Sequence, residues 1–473
     1  MGEDFIIIYR LSMIDLIPNG STHDEVVRLA VEIEKAGASI LNTGISLARG
    51  AGADHRHQRA APGLCLGDAE ADGQGGIPVI TSNRINTPEV AEEVLAEGCA
   101  DMVSMARPFL ADAEFVKKAA EGRAGEIAPC IGCNQACLDH TFSGKISSCL
   151  VNPVACHETE IVLTPAAAAK RVAVVGAGPA GCAVAMTAAG RGHEVVLFDR
   201  AGQIGGQLNM AKVIPGKEEF HGLVAWFDTM VRKAGVELRL GTEATAEALE
   251  GFDEVVVATG VTPRDPGIPG ETGGAGPTVL SYVELLRGGA EAGKTVAVVG
   301  AGGIGFDVAE FLVAGGESPT EDLALWREEW GVGDPSETPG GLAAEGPQPH
   351  APARQVVLMQ RKAQALGKGL GKTTGWIHRA QLKMKGVEML GGVNYERIDG
   401  AGLHVSFGEA RENPRVIAAD TVVLCAGQES DRRLADALAA KGVSAHVIGG
   451  AELAAELDAK RAIDQGVRLG AVL

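Results

Sequence analysis

The sequence predicts an α/β protein built from the C-terminal half of a (β/α)8 barrel, a cysteine-rich segment and two Rossmann-like dinucleotide domains. Three features carry this expectation. Apolar runs alternate with helical patterns at the start, four cysteines follow in CIGCNQACLDHTFSGKISSC, and the order strand, glycine turn, helix then occurs twice.

The early apolar runs are FIIIYRLSM, SILNTGI, PVITSNRI and DMVSMARPF, joined by patterns such as EVVRLAVEIEKAG and EVAEEVLAEG. Runs that are β-rich and apolar throughout, linked by helices, indicate parallel strands covered on both faces. Four strands fall short of the eight, over about 250 residues, that close such a barrel. Residues 1–118 are therefore expected to form an incomplete barrel, with Met1 beginning inside a domain. Two open sheet edges and an apolar inner face would favour aggregation.

Cys130, Cys133, Cys137 and Cys149 follow the spacing C-x2-C-x3-C-x11-C. One tight turn supplies three thiolates and a later segment the fourth. By spacing alone, residues 119–165 suit a structural zinc as well as an iron–sulfur cluster. The fingerprints downstream favour iron and sulfur, because a redox relay uses a one-electron carrier and has no use for zinc.

The first fingerprint lies in RVAVVGAGPAGCAVAMTAAGRGHEVVLFD. Gly176, Gly178 and Gly181 would let backbone N–H groups approach a pyrophosphate at a helix N-terminus, and Asp199, ending the next strand, would accept from a ribose hydroxyl. Gly205, Gly206 and Gln207 in IGGQ accompany such turns in flavoenzymes with two dinucleotide sites, which makes this the FAD half. The second fingerprint, KTVAVVGAGGIGFDVAEFL, presents Gly300, Gly302 and Gly305. Its following strand ends in Gln360, Arg361 and Lys362 where an NAD site would have a carboxylate, so a 2′-phosphate and NADPH are favoured. The expected division is FAD domain 166–287, NADPH domain 288–415 and FAD domain again 416–473. Residues 315 to 352, rich in Gly, Pro and Glu, read as a surface insertion. GKGLGKTTG resembles a P-loop but lacks its first glycine, Leu366 standing there, and reads as a loop near the nicotinamide or flavin. Cys99, Cys182 and Cys425 read as buried, inert thiols.

The chain has 473 residues, a net charge of −19 and nine cysteines. An acidic surface repels nucleic acid and anionic membranes, so neither is an expected partner. No apolar run approaches the length of a membrane span and no secretory leader is present, which points to a reducing cytoplasm where thiols bind metal or stay reduced.

Taken together, FIIIYRLSM, SNRIN, DMVSMARPFLAD, CIGCNQACLD, SCLVNP, VVGAGPAG, GKTTGWIHR and ELDAKRAI resemble the bacterial NADPH-dependent 2,4-dienoyl-CoA reductases, iron–sulfur flavoenzymes related to old yellow enzyme and trimethylamine dehydrogenase. The resemblance implies FMN in the barrel, a 4Fe-4S cluster on the four cysteines, FAD, and NADPH. It implies electrons passing from NADPH through FAD and the cluster to FMN, and on to an unsaturated fatty acyl-CoA in β-oxidation. It places Arg10, at the end of the first strand, against the flavin pyrimidine edge. Arg84 and the backbone at Ala106 and Arg107 would hold the FMN phosphate.

The family's proton-supplying tyrosine belongs to the half of the barrel not seen here, and Ala48 occupies the position of its histidine. No catalytic acid is therefore expected, and dienoyl-CoA turnover is not. From Ser46 to Gly76 the sequence fits neither the family nor a fold period. One set of codons for Ala48–His57, read one base later, gives His-Glu-Ala-Arg-Val-Pro-Thr-Ile-Ala, the expected motif, so a pair of compensating frame shifts is inferred, with a natural flexible insertion as the alternative; His55 and His57 are not promoted to catalysts. Two further readings compete: an NADPH-oxidising FAD/iron–sulfur module for a separate barrel subunit, and an inactive gene remnant.

Overall fold

The computed structural model describes residues 5–45, 76–98, 100–270, 276–314, 318–455 and 457–473. The chain divides into two compact units. The inferred frame shift, Ala48, His55, His57 and Cys99 all lie outside the described residues.

The first unit takes the described residues of 1–109, 113–124 and 316–351. Its parallel sheet holds four strands in chain order, β1 (Ile8–Ile14), β2 (Ile40–Ile45), β3 (Val79–Thr81) and β4 (Met102–Val103), the number the apolar runs predict. Helix α1 (His23–Lys35) opens on a capping box, in which Thr22 accepts from the Glu25 N–H and the Glu25 carboxylate accepts from the Thr22 N–H at 2.8 Å. Two more helices, α2 (Pro88–Ala96) and α3 (Arg107–Ala111), flank β4 in the chain.

Side-chain alternation makes this sheet two-faced. Leu11, Met13 and Leu41 pack with Val26, Ala30 and Ile33 of α1. Arg10, Ser12 and Asn42 therefore fall on the opposite face, which is polar at these positions where an apolar inner face was expected. The exposed apolar surface lies instead at the start of β1 and just before it, with Phe5, Ile6 and Ile8 each more than half exposed.

Residues 318–351 differ from the surface insertion read from their composition. Helix Leu323–Trp330 is capped by Asp322, which accepts from the Leu325 N–H, and it buries Trp326 and Trp330. Val332 bridges to Leu342, and the two pack on Ile14 and Leu16. Gly340, at φ 68°, donates its N–H to the Ser21 carbonyl at 2.9 Å, and a Cβ there would overlap the Ile17 carbonyl. The abundant Gly, Pro and Glu hid two tryptophans whose burial makes this segment part of the first unit's core.

The second unit holds two five-stranded parallel sheets. In the first, β5 (Arg171–Val175), β6 (Glu194–Asp199), β7 (Glu237–Leu240) and β8 (Glu254–Val257) combine with the late strand His446–Val447 in the order 446–447, β8, β5, β6, β7. In the second, β9 (Thr278–Ser281), β10 (Thr295–Val299), β11 (Gln355–Met359), β12 (Glu388–Leu390) and β13 (Thr421–Leu424) lie in the order β9, β13, β10, β11, β12. β9 and β13 thus join the second sheet, although 278–281 and 421–424 had been expected in the FAD domain. Four helices of this unit bear on the site: α4 (Leu138–Thr141), α5 (Pro179–Gly190), α6 (Gly303–Val313) and α7 (Gly375–Met384). A fifth, α8 (Ala459–Val472), lies on α5 at Gly466, where a Cβ would press on the Ala180 carbonyl. Among the described residues no helix is long and apolar enough to cross a membrane.

Replacing Gly340 by alanine is expected to release residues 318–351 from the first unit. Limited proteolysis should then cut within 318–351 at least about tenfold faster than in the parent, while fragments of 352–473 keep the parent's cutting pattern.

Candidate redox site

The two glycine turns are built alike. Gly176, at φ 110°, follows β5, and Gly300, at φ 108°, follows β10. A Cβ on Gly176 would overlap the Ala258 carbonyl, and one on Gly300 the Cys425 carbonyl. A Cβ on Gly181 would run into the Gly176 carbonyl, and one on Gly305 into that of Gly300. Each helix can therefore start hard against its strand only without these side chains. Gly178 and Gly302 are the N-caps of α5 and α6, and a Cβ on either would meet at most one atom, at 4.0 Å, so their faces are open to a ligand. First-turn N–H groups beside an open face form an anion site.

Around the first turn, Asp199 already accepts from two backbone N–H groups, Ala177 at 2.6 Å and Ala201 at 2.7 Å. Each carboxylate oxygen keeps a second lone pair for a ribose hydroxyl. Gly206 folds back onto Gly178, where a Cβ would press on the Gly178 Cα, so IGGQ forms one wall of the turn. The Gln207 Oε1 accepts from Gln428 Nε2 at 3.1 Å, and the same Nε2 donates to the Tyr282 hydroxyl at 2.8 Å. Sequence reasoning missed Gln428 and Tyr282; the AGQ run beside Cys425 was the available signal. Burial pushes the Tyr282 phenol up, so it stays protonated at neutral pH.

Around the second turn, Arg361 and Lys362 follow β11 and are exposed, while Gln360 donates to the Lys362 and Gln364 carbonyls. On α6, Asp307 receives both hydrogen bonds of Lys217 at 2.6 Å, and buried Glu310 meets His378 of α7 at the same distance. Neither pair was identified from sequence.

The four cysteines come together. Cys133 and Cys149 pack against the core that includes Ile131, Leu150 and Val151. Burial raises the Cys149 thiol to about 11, with Cys130 and Cys137 adding to the rise, and it raises Cys133 further, with Cys149, Cys130 and Cys137 all contributing. Four thiolates so placed need positive charge among them. The Gln135 N–H points at the Cys133 sulfur, and those of Val151 and Asn152 point at the Cys149 sulfur. Such N–H···S bonds stabilise metal-bound thiolates. Among the described residues no three metal-binding side chains gather around one ion. A set of four cysteine donors, two of them met by backbone N–H groups, fits an iron–sulfur cluster. Burial also raises Cys182, to about 12, and Cys425, consistent with inert thiols.

In the first unit, Arg10 lies inside β1 and not at its end. Its guanidinium donates to Asn42 Oδ1 at 2.8 Å and to Ser82 Oγ at 3.0 Å, across a space that a Cβ on Gly44 would block. Pairing of Thr81 with Val103 puts the ends of β3 and β4 side by side. Arg84, at φ 52° beside Asn83 at φ 88°, leaves the first, and Ala106 with Arg107 leaves the second. Left-handed backbone of this kind collects at ligand-binding turns.

Duplicated dinucleotide turns, a group of four cysteines and a parallel sheet presenting Arg10 fit a flavin-dependent, pyridine-nucleotide oxidoreductase. The chain belongs to the pyridine nucleotide-disulphide oxidoreductase family, matched over residues 170–451, and residues 1–126 match the NADH:flavin oxidoreductase / NADH oxidase family, to which the old yellow enzyme type of barrel belongs. It is 34% identical to a metal reductase of Desulforamulus reducens over 95% of this chain and 66% of that protein. It is 36% identical to an NADH oxidase of Thermoanaerobacter brockii over 69% of this chain and 52% of that one. A solved 2-naphthoyl-CoA reductase in complex with 2-naphthoyl-CoA superposes with a TM-score of 0.85 and 26% identity, over the whole of this chain and 66% of its own. The chain thus spans about half to two thirds of the length of these relatives.

Gly181→Ala is expected to lose bound FAD, read from flavin absorbance per protein, whereas Gly305→Ala should keep FAD and weaken pyridine-nucleotide binding by at least about a hundredfold in calorimetry. Equal losses of both nucleotides in either variant would contradict two separate turns.

Proposed function

We propose that this chain takes electrons from NADPH at the second turn, through FAD at the first and a 4Fe-4S cluster on Cys130, Cys133, Cys137 and Cys149, toward FMN on the barrel sheet. In enzymes of the resembled type the final acceptor is an unsaturated acyl-CoA thioester, with 2,4-dienoyl-CoA in fatty acid β-oxidation as the specific reading; with Ala48 at the position of the family's histidine, its turnover by this chain is not expected. The observation that carries the route is the grouping of four cysteines, with the Cys133 and Cys149 thiols deeply buried beside the other two, in the same unit as two open glycine turns. The solved relative that binds 2-naphthoyl-CoA supports the acyl-CoA class, and the resemblance around the cysteines and GKTTGWIHR supports the dienoyl member.

When bound, these groups supply hydride and single-electron transfer. The protein's part is placement. The first turns of α5 and α6 offer backbone N–H groups to pyrophosphates, and Asp199 offers its spare lone pairs to a ribose. Arg361 and Lys362 supply the positive charge that distinguishes a 2′-phosphate from a hydroxyl. Gln428 ties Gln207 to Tyr282 and so fixes the wall of the FAD turn. Arg10, held by Asn42 and Ser82, presents positive charge to the pyrimidine edge of FMN, and Arg84 with the Ala106–Arg107 backbone presents donors to its phosphate.

NADPH added without oxygen is expected to bleach bound FAD, followed at its visible absorbance band; FAD that stays oxidised would refute the route. The double variant R361A/K362A should raise the KM for NADPH about tenfold or more while leaving that for NADH within about twofold, because one charge-assisted contact contributes roughly 1.5–3 kcal/mol.

A further inference from the structure

The run GKGLGKTTG looks like a phosphate loop, and its backbone donors do hold an anion, but the anion is the protein's own. Asp139 Oδ1 accepts from the Thr373 N–H at 2.9 Å and from the Thr373 hydroxyl at 2.7 Å, and Oδ2 accepts from the Lys372 N–H at 3.2 Å. The Lys372 ammonium donates to the Phe142 carbonyl. Asp139 is in the first turn of α4 and Phe142 is its C-cap, so one loop grips both ends of the helix that starts directly after Cys137.

A second hold comes from α8. His140 Nε2 faces Lys460 Nζ at 3.4 Å and Nδ1 faces the Ile146 carbonyl at 2.9 Å. A lysine ammonium only donates, so Nε2 accepts and Nδ1 carries the proton that the carbonyl takes. The loop itself is fixed from behind. Trp376 Nε1 donates to the Thr373 carbonyl at 3.0 Å, and His378, on the same helix α7, meets buried Glu310 of α6. Continuous contacts therefore run from the second dinucleotide helix through α7 and the loop to the residue two positions past a cluster cysteine.

We propose that Asp139 is a positioning residue, which through Thr373 and Lys372 holds the Cys137–Cys149 arm of the thiol cluster against the nucleotide-binding half. The inference rests on the cluster reading given above. Groups outside the metal-bound atoms orient the ligands, and their loss commonly weakens metal binding 10- to 100-fold. They also set the hydrogen bonding and solvent access on which a cluster's potential depends.

The test uses the full chain reconstituted without oxygen with ferrous iron and sulfide, comparing the parent with D139A, D139N and T373V. We expect D139A to release iron to a chelator at least about tenfold faster and to change the midpoint potential and low-temperature electron paramagnetic resonance line shape of the reduced cluster. D139N keeps an oxygen for Thr373, and T373V removes the hydroxyl contact alone; both should be intermediate. The flavin-to-protein ratio reports folding of the nucleotide domains, and if D139A fails it, the ordering of parent, D139N and T373V decides. Parent-like iron release, potential and line shape in the variants would overturn the role of Asp139 with the cluster reading intact. A parent that takes up no iron or sulfide would overturn both.

Discussion

A helix can begin close enough to a strand end to hold a pyrophosphate only when no Cβ stands between them, and both sheets of the second unit are organised by that requirement. At Gly181 the obstacle would be the carbonyl of Gly176, and at Gly305 that of Gly300. The neighbouring crossover strand closes in from the other side, through Ala258 in one sheet and Cys425 in the other. With backbone filling the space on both sides, the remaining open direction is the one a nucleotide needs. The residues that follow differ: Asp199 after β6, and Gln360, Arg361 and Lys362 after β11. Charge at that single station separates the two sites.

Burial of the cysteine segment raises a related difficulty, since polar and ionisable groups removed from water need partners. The sulfurs of Cys133 and Cys149 meet backbone N–H groups, and Asp139 meets three donors of the 372–373 loop. Buried Glu310 meets His378. The sulfur contacts are local, but the Asp139 and Glu310 pairs join segments distant in the chain, so there satisfying hydrogen bonds and joining segments are one event.

The first unit shows how parity governs what a sheet presents. A strand that reads as continuously apolar still sends alternate side chains to opposite faces, and α1 covers only one of them. Leu11 and Met13 go to the helix, leaving Arg10 and Ser12 with Asn42 and Gly44 on the face where a flavin would lie. The 318–351 segment joins this unit, where Val332 and Leu342 pack on Ile14 and Leu16, and it buries Trp326 and Trp330. Local composition described its turns well and its destination poorly.

What was legible in the sequence is what depends on local spacing. The strands, the two turns with their glycines, the four cysteines and the four-strand count follow from periodicity and from the short-range steric demands of a turn, which the chain expresses residue by residue. Long-range pairings were not legible: Gln428 with Gln207 and Tyr282, Glu310 with His378, Asp139 with Thr373, and the transfer of β9 and β13 to the second sheet. Amides, carboxylates and hydroxyls have no periodic signature, and each finds its partner only after the chain has folded back across many residues. The sequence by itself determined where the strands and the two glycine turns fall, because those demands are met within a few residues. The tertiary structure alone decided how the turns, the thiols and the P-loop-like segment are held together, because those contacts come into being only when distant segments pack.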